Sequence, residues 1–173
     1  MNKQLKIRGL KMKTFVKTNS EFKYLYACGK LKIPNYDKRY VNFLIVKDKY
    51  AYRTDSKILI KFETKLLDGT YQFNKVTKTT INLLKIDLDI DMPNCDAVLN
   101  IDDKYPAEIN LNEMIEPHII ELYLLFGVII QKQYLDSVAS IQDTFIAYGS
   151  DNLRPLIFDS PCCRIAVMSI INK

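Results

Sequence analysis

The chain has 173 residues, of which 48% are hydrophobic and 26% are charged, with five glycines and no tryptophan. This length suits one domain covering residues 1–173, and the composition excludes a disordered chain, a collagen-like repeat and a disulfide-stapled miniprotein. The net charge of +5 is unevenly divided: residues 1–65 carry 17 Lys and Arg against 5 Asp and Glu, whereas residues 66–173 carry 8 against 15. A basic half of this kind predicts a polyanionic partner.

The first half of the chain has a β-rich pattern with one short helix. Residues 12–17 alternate between apolar and polar side chains, which predicts a strand. Asn19-Ser20 offers an N-cap for a first helix, which we expect to end near Gly29. Three strands joined by short polar turns are then predicted at residues 40–46, 50–53 and 57–62, and they form an antiparallel meander. One further strand is predicted at residues 70–74.

Residues 75–127 form a middle section that the sequence assigns poorly. Within it, residues 86–91 alternate Ile or Leu with Asp, which predicts a strand with an acidic outer face. Residues 113–126 fit either a helix or an apolar strand, and the pattern leaves both alternatives open.

The last part of the chain repeats the order of the first. An apolar face along residues 131–141 predicts a second helix. Strands are then predicted at residues 144–148, 153–158 and 164–171. The order of a strand, a helix and further strands thus occurs twice, which we interpret as a loose duplication of a β-α-β-β-β unit without a residue-level repeat. The predicted fold class is α+β.

The sequence predicts a cytoplasmic protein without a membrane anchor. The most apolar stretch, residues 111–130, contains three glutamates, a histidine and a proline, which would be costly in a bilayer. No signal peptide is recognisable in the first 17 residues. The four cysteines match no zinc-binding pattern, and we expect them to be reduced thiols of a cytosolic protein.

Three segments are informative: two combine a polar turn with an apolar strand, and the third is an apolar run near the end of the sequence. They are residues 46–60 (VKDKYAYRTDSKILI), residues 151–158 (DNLRPLIF) and residues 165–169 (IAVMS). In this order, and with the predicted second helix directly before the second segment, they resemble the DNA sliding-clamp superfamily. Its members are ring-shaped processivity factors of replication, such as the β-subunit of bacterial DNA polymerase III. Ser56 stands where that family commonly has glycine, and Ser169 where it has proline.

The resemblance implies a DNA-clamp-like fold in which two short helices pack on curved antiparallel β-sheets. It also implies that the helices face double-stranded DNA and that the protein performs no catalysis. The chain corresponds to a single-domain version, so a ring of six domains would need six copies of it. The expected partners are therefore double-stranded DNA, replication proteins and further copies of the chain in a homo-oligomer.

The residues themselves offer little support for an enzyme. The single histidine, His118, lies beside a proline in an apolar stretch, without a cysteine signature nearby. Asp87, Asp89 and Asp91 lack the glycine and the terminal glutamate of a calcium loop. The glycines are scattered singly, so no phosphate-binding loop is present. We expect no catalytic residue, no cofactor and no metal site.

The basic half contains the candidate DNA contacts. Residues 1–11 form a basic arm, and lysine and arginine side chains there and beyond neutralise phosphates without reading sequence. Tyrosines interleaved with these charges offer stacking on bases, at positions 24, 26 and 36. The candidate phosphate-binding residues are Lys23 and Lys30 on the first helix, Lys132 on the second, and Arg53 and Lys57 in the meander.

Two other interpretations stay open at this point. The lysines are also compatible with an ordinary solvated surface. In addition, the second helix has only one lysine, Lys132, which favours a protein-interaction module with a clamp-like fold that binds no DNA. Exposed edge strands of such a module would bind a partner by β-augmentation.

Overall fold

The computed structural model describes residues 12–32, 39–102, 104–111, 115–149 and 155–170. The basic arm, residues 1–11, lies outside the described residues. The described part contains ten strands, four α-helices and one 3-10 helix. In chain order they are β1 (Met12–Val16), α1 (Phe22–Lys30), the 3-10 helix (Arg39–Asn42), β2 (Leu44–Lys47), β3 (Tyr50–Thr54), β4 (Ile58–Glu63), β5 (Gly69–Val76), β6 (Thr80–Ile86), α2 (Cys95–Val98), β7 (Tyr105–Asn110), α3 (Ile115–Phe126), α4 (Lys132–Ala139), β8 (Thr144–Gly149), β9 (Leu156–Ser160) and β10 (Cys163–Val167).

All ten strands belong to one antiparallel sheet with the order β1-β6-β5-β2-β3-β4-β10-β9-β8-β7. The two halves of the chain meet where β4 pairs with β10, with Ile60 opposite Ile165. This leaves β1 and β7 as the two edge strands, one from each half of the chain. The architecture is α+β, as the sequence predicts.

One face of the sheet is covered by three helices, and we call it the helix face. Because strand side chains alternate between faces, Ile58, Ile60 and Phe62 of β4 all join one large core cluster. The same cluster contains the buried side chains of α1, α3 and α4. Burying these side chains supplies the hydrophobic stabilisation that holds the helices on the sheet.

The other face of the sheet, which we call the outer face, is covered in part by the short helix α2. Here Leu59 of β4 packs with Cys95 and Leu99, at the two ends of α2. Lys61 Nζ donates to Asp96 Oδ1 at 2.7 Å, and Arg164 Nη1 donates to the carbonyl oxygen of Leu99 at 3.4 Å. These contacts attach α2 to the centre of the sheet.

The two halves of the chain are not equivalent in strand pairing. In the second half, β7, β8, β9 and β10 are consecutive neighbours. In the first half, β5 and β6 are inserted between β1 and β2. The duplicated β-α-β-β-β unit therefore stays a prediction from the element order.

Several predicted elements are wrong in type or number. Four α-helices are present in the described ranges instead of two, and residues 115–126 form a helix, which settles the alternative left open. The first meander strand is predicted at residues 40–46, but residues 39–42 form a 3-10 helix and the strand begins only at Leu44. Strand β6 ends at Ile86, so residues 87–91 are not a strand, and Thr70 Oγ1 donates to the carbonyl oxygen of Leu88 at 2.7 Å.

Helix α1 begins after the predicted N-cap at Asn19-Ser20 and ends at Lys30, one residue beyond the predicted end near Gly29. It starts at Phe22, because the side chain of Asn19 accepts a hydrogen bond from Val16 N at 2.7 Å instead of capping the helix. It also continues past Gly29. A Cβ at this glycine would lie 2.7 Å from Val76 Cγ2, so the glycine permits close approach of α1 to β5.

The strands near the end of the chain shift by a few residues from the prediction. Strand β9 covers Leu156–Ser160 and β10 covers Cys163–Val167. The four cysteines are free, and three of them are buried. None of the helices in the described part of the chain is long and apolar enough to cross a bilayer.

Candidate nucleic-acid interface

Helix α1 presents the clearest cationic surface on the helix face. Its apolar side chains, among them Phe22, Leu25 and Cys28, are buried against the sheet. The opposite side of the helix carries Lys23 and Lys30, both exposed. Seven residues separate the two lysines, which corresponds to about two turns and about 10 Å along the helix axis.

The two lysines of α1 have aromatic neighbours and no acidic partner in the described part of the chain. Lys23 Nζ lies 5.0 Å from the ring centroid of Tyr24, and Lys30 Nζ lies 5.3 Å from that of Tyr26. Neither lysine forms an ion pair with any carboxylate of the described residues. No carboxylate of the described ranges therefore competes with an external anion for either ammonium group.

The structure separates the tyrosines that were predicted to stack on bases. Tyr24 is buried, and its ring stacks on that of Phe62 with 5.1 Å between centroids. It is a core residue, so the prediction that it stacks on bases is wrong. Tyr26 is half-buried on the surface of α1 between the two lysines, whereas Tyr36 lies outside the described residues.

Lys132 lies at the start of α4 in an acidic environment. Its Nζ lies 2.9 Å from Glu116 Oε1 of α3 and 3.5 Å from Asp136 Oδ1. The hydrogen bond between Lys132 and Glu116 raises the pKa of Lys132 and lowers the pKa of Glu116. Two carboxylates for one ammonium give this corner a net negative charge, unlike the surface of α1.

Arg53 is buried in the core, with 4% of its surface exposed. Its Nε donates to the carbonyl oxygen of Cys28 at 3.4 Å, and its Nη1 donates to the carbonyl oxygens of Val41 and Phe43. Burial lowers the pKa of the guanidinium. Arg53 thus joins the end of α1 to the 3-10 helix, and the prediction that it contacts a DNA phosphate is wrong.

Lys57 is exposed at the turn between β3 and β4. The turn is held by Asp55, whose Oδ1 accepts hydrogen bonds from Lys57 N at 2.9 Å and Ile58 N at 3.0 Å. Ser56 has φ of +76°, a backbone conformation that favours glycine. This explains physically why a glycine would fit the position of Ser56 in this turn.

Helix α3 exposes an apolar surface that sequence reasoning missed. Ile120 is 64% exposed and Leu124 is 77% exposed, and Tyr123 and Leu125 beside them are also exposed. Since helix residues three and four apart are neighbours, Ile120, Tyr123 and Leu124 form one patch. The pattern of residues 113–126 did not distinguish a helix from a strand, so it did not reveal which side chains share a face.

The described residues show no group of three His, Cys, Asp or Glu side chains placed to hold a metal ion. His118 Nδ1 lies 2.9 Å from Glu121 Oε2, its neighbour on α3. Burial raises the pKa of the Cys28 thiol to about 12 and that of the Cys95 thiol to about 11. These two thiols are protonated near neutral pH and are therefore poor nucleophiles.

No protein-family model matches the sequence, and no curated protein matches it. Solved structures of sliding clamps do match the fold. The DNA polymerase sliding clamp from Bacillus subtilis is 10% identical, with a TM-score of 0.58 over 100% of this chain and 67% of the clamp chain. The DNA polymerase III beta chain from Streptococcus pneumoniae is 9% identical, with a TM-score of 0.61 over 99% of this chain and 67% of that chain.

A third structure was solved with a partner peptide. It is the Helicobacter pylori beta clamp bound to a DNA ligase peptide, which is 11% identical, with a TM-score of 0.57 over 98% of this chain and 68% of that chain. The present chain thus spans about two thirds of the length of these clamps. It has a sliding-clamp-like fold, and at this level of identity the likeness concerns the fold alone.

Proposed function

We propose that this chain, which has the fold of the bacterial sliding clamps, is a non-enzymatic scaffold that holds double-stranded DNA against α1. The observation that carries the proposal is the pair of exposed lysines on the helix face of a clamp-like fold, Lys23 and Lys30, neither of which is paired with a carboxylate of the described residues. Lys57 is a further candidate contact at an exposed turn. Lys132 is a weaker one, because two carboxylates already neutralise it.

The proposed contact is electrostatic and independent of base sequence. Ammonium groups that neutralise phosphates release condensed counterions, so the affinity depends steeply on salt. Tyr26, between the two lysines, would add an aromatic surface next to the sugar-phosphate backbone of the duplex. The basic arm, residues 1–11, would add further phosphate contacts if it reaches the same duplex.

Binding of the full chain to a fluorescently labelled 30-base-pair duplex tests this function. We expect measurable binding at about 50 mM salt that weakens at least about tenfold by about 200 mM salt. Two duplexes of unrelated sequence should bind equally, because phosphate contacts carry no sequence information. The absence of binding at about 50 mM salt would exclude the DNA function.

Self-association of the chain would use the two edge strands. Edge β1 carries the exposed Lys13 and Met12, and edge β7 carries the exposed Glu108 and Tyr105. Unpaired backbone groups along an edge strand form a template for another strand. We propose that β1 of one copy pairs with β7 of the next, a head-to-tail contact that closes into a ring or extends into a filament.

Sedimentation of the purified chain over a range of concentrations tests the contact between copies. We expect assemblies larger than a monomer at high concentration, and their loss when Pro replaces Thr14 in β1, since proline removes a backbone donor at the edge. Replacement of Thr18, an exposed residue in the turn after β1, by Pro is the matched control. A strict monomer at the highest soluble concentration contradicts self-assembly.

The second candidate function is a protein-interaction module that binds no DNA. The exposed apolar patch on α3 and the paired charge of Lys132 favour it, because apolar patches of this kind typically contact proteins. The Helicobacter pylori clamp was solved with a DNA ligase peptide, and replication proteins are the proposed partners of this chain as well. The duplex-binding measurement separates the two functions, since only the first predicts salt-dependent binding.

A further inference from the structure

A cavity with a volume of about 920 Å³ forms a groove on the outer face of the sheet. Its floor is formed by Ile45 and Tyr52 of the central strands. Its wall is the segment 88–94, which crosses the sheet between β6 and α2. The groove therefore lies on the opposite side of the sheet from the lysines of α1.

The wall of this groove is attached to the sheet at one end and continues into α2 at the other. At one end, Thr70 Oγ1 donates to the carbonyl oxygen of Leu88 at 2.7 Å. At the other end, Asn94 caps α2 by accepting a hydrogen bond from Ala97 N at 3.1 Å. The side chain of Met92 packs with the small cluster that holds α2 in place. A groove with a fixed wall is preorganised for an occupant.

The rim of the groove is acidic. Asp48, Asp89 and Asp91 line it, are exposed, and form no ion pair with any side chain in the described ranges. Asp96 also lines the groove but is paired with Lys61. Lys47 is the one basic residue among the described lining residues. Several unpaired carboxylates around an apolar floor attract a cationic partner that also has apolar side chains.

We propose that this groove binds an extended peptide segment of a partner protein in which Lys or Arg alternates with Leu or Ile. In an extended segment, successive side chains point to opposite sides. The aliphatic side chains would pack on Ile45, Tyr52 and Met92, and the basic side chains would reach the carboxylates of Asp89 and Asp91. This site goes beyond the proposed DNA function, because it uses the other face and the opposite charge.

A synthetic peptide with the sequence MNKQLKIRGLK, that of residues 1–11, is a suitable probe because aliphatic and basic residues alternate over its central segment, residues 5–8. Fluorescence anisotropy of the labelled peptide with the full chain should show saturable binding. Charge reversal in an Asp89→Lys/Asp91→Lys variant should weaken it at least about tenfold, because like charges then meet. A peptide of the same composition, with its basic residues grouped at one end, should bind more weakly than the alternating one.

The matched control is an Asp102→Lys/Asp143→Lys variant, which has the same net charge but is changed at two exposed positions outside the groove. It should bind the alternating peptide within about twofold of the unchanged chain. Absence of saturable binding, or equal weakening in both variants, overturns the proposal. A further variant of the full chain has Lys3, Lys6, Arg8 and Lys11 changed to Ser. If the labelled peptide binds only to this variant, the groove is occupied by the chain's own residues 1–11, and the partner assignment is overturned. Circular dichroism would verify that each variant is folded.

Discussion

Replacement of Lys23 and Lys30 together by alanine is expected to weaken duplex-DNA binding at least about tenfold at about 100 mM salt. Both lysines are exposed on the same side of α1, and neither is neutralised by a carboxylate of the described residues. The slope of log affinity against log salt concentration should become shallower by about two, one for each lost phosphate contact. Titration of a labelled duplex at several salt concentrations measures both quantities.

A Lys47→Ala/Lys75→Ala variant is the matched control for α1. It loses the same charge from two exposed lysines outside α1, and the strand register places Lys47 on the face opposite to α1. The control should keep its affinity within about threefold, because only long-range attraction is reduced. Equal losses in the two variants would show that binding depends on net charge and not on α1. Unchanged binding in the Lys23→Ala/Lys30→Ala variant would place the duplex elsewhere.

An Arg53→Met variant is expected to lose about 2–4 kcal/mol of the free energy of unfolding. The substitution leaves the carbonyl oxygens of Cys28, Val41 and Phe43 without their charged donor. The methionine recovers part of the packing, but buried carbonyl groups without donors cost more than a neutral side chain regains. Urea denaturation monitored by circular dichroism measures the loss.

Lys57→Met, in the same pair of strands, serves as the control because Lys57 is exposed. Its free energy of unfolding should change by less than about 0.5 kcal/mol. The Arg53→Met variant should bind the duplex within about twofold of the unchanged chain at a temperature where it is fully folded. The reason is that the guanidinium of Arg53 does not reach the surface. A variant that keeps its stability but loses DNA binding would instead restore Arg53 as a phosphate contact.

The clamp-like architecture could be predicted from sequence because turn and strand chemistry is local. In residues 46–60, Asp55 accepts two backbone hydrogen bonds within its own turn, and the strand that follows it, β4, consists mostly of buried apolar side chains. Such features depend on neighbours a few residues away, so they can be recognised in one sequence. The same holds for β1 and α4, which the structure places within a few residues of the prediction.

The candidate site was less predictable because charge alone does not say where a side chain lies. Arg53 and Lys23 are both basic residues of the basic half, yet one is 4% exposed in the core and the other is on the surface. The burial of Arg53 depends on carbonyl groups 10, 12 and 25 residues away along the chain. The charge of Lys132 is neutralised in part by Glu116, which lies on a different helix, α3.

The sequence by itself determined the α+β class, most strand positions, the two helices α1 and α4, and the concentration of positive charge in the first half of the chain. These properties follow from local periodicity and composition. Only the tertiary structure decided which lysines are free, that α3 is a helix with an apolar exposed face, and that residues 88–94 form the wall of a groove with an acidic rim. Each of these depends on contacts between residues that are distant in the chain, which the hydrophobic pattern of one segment does not contain.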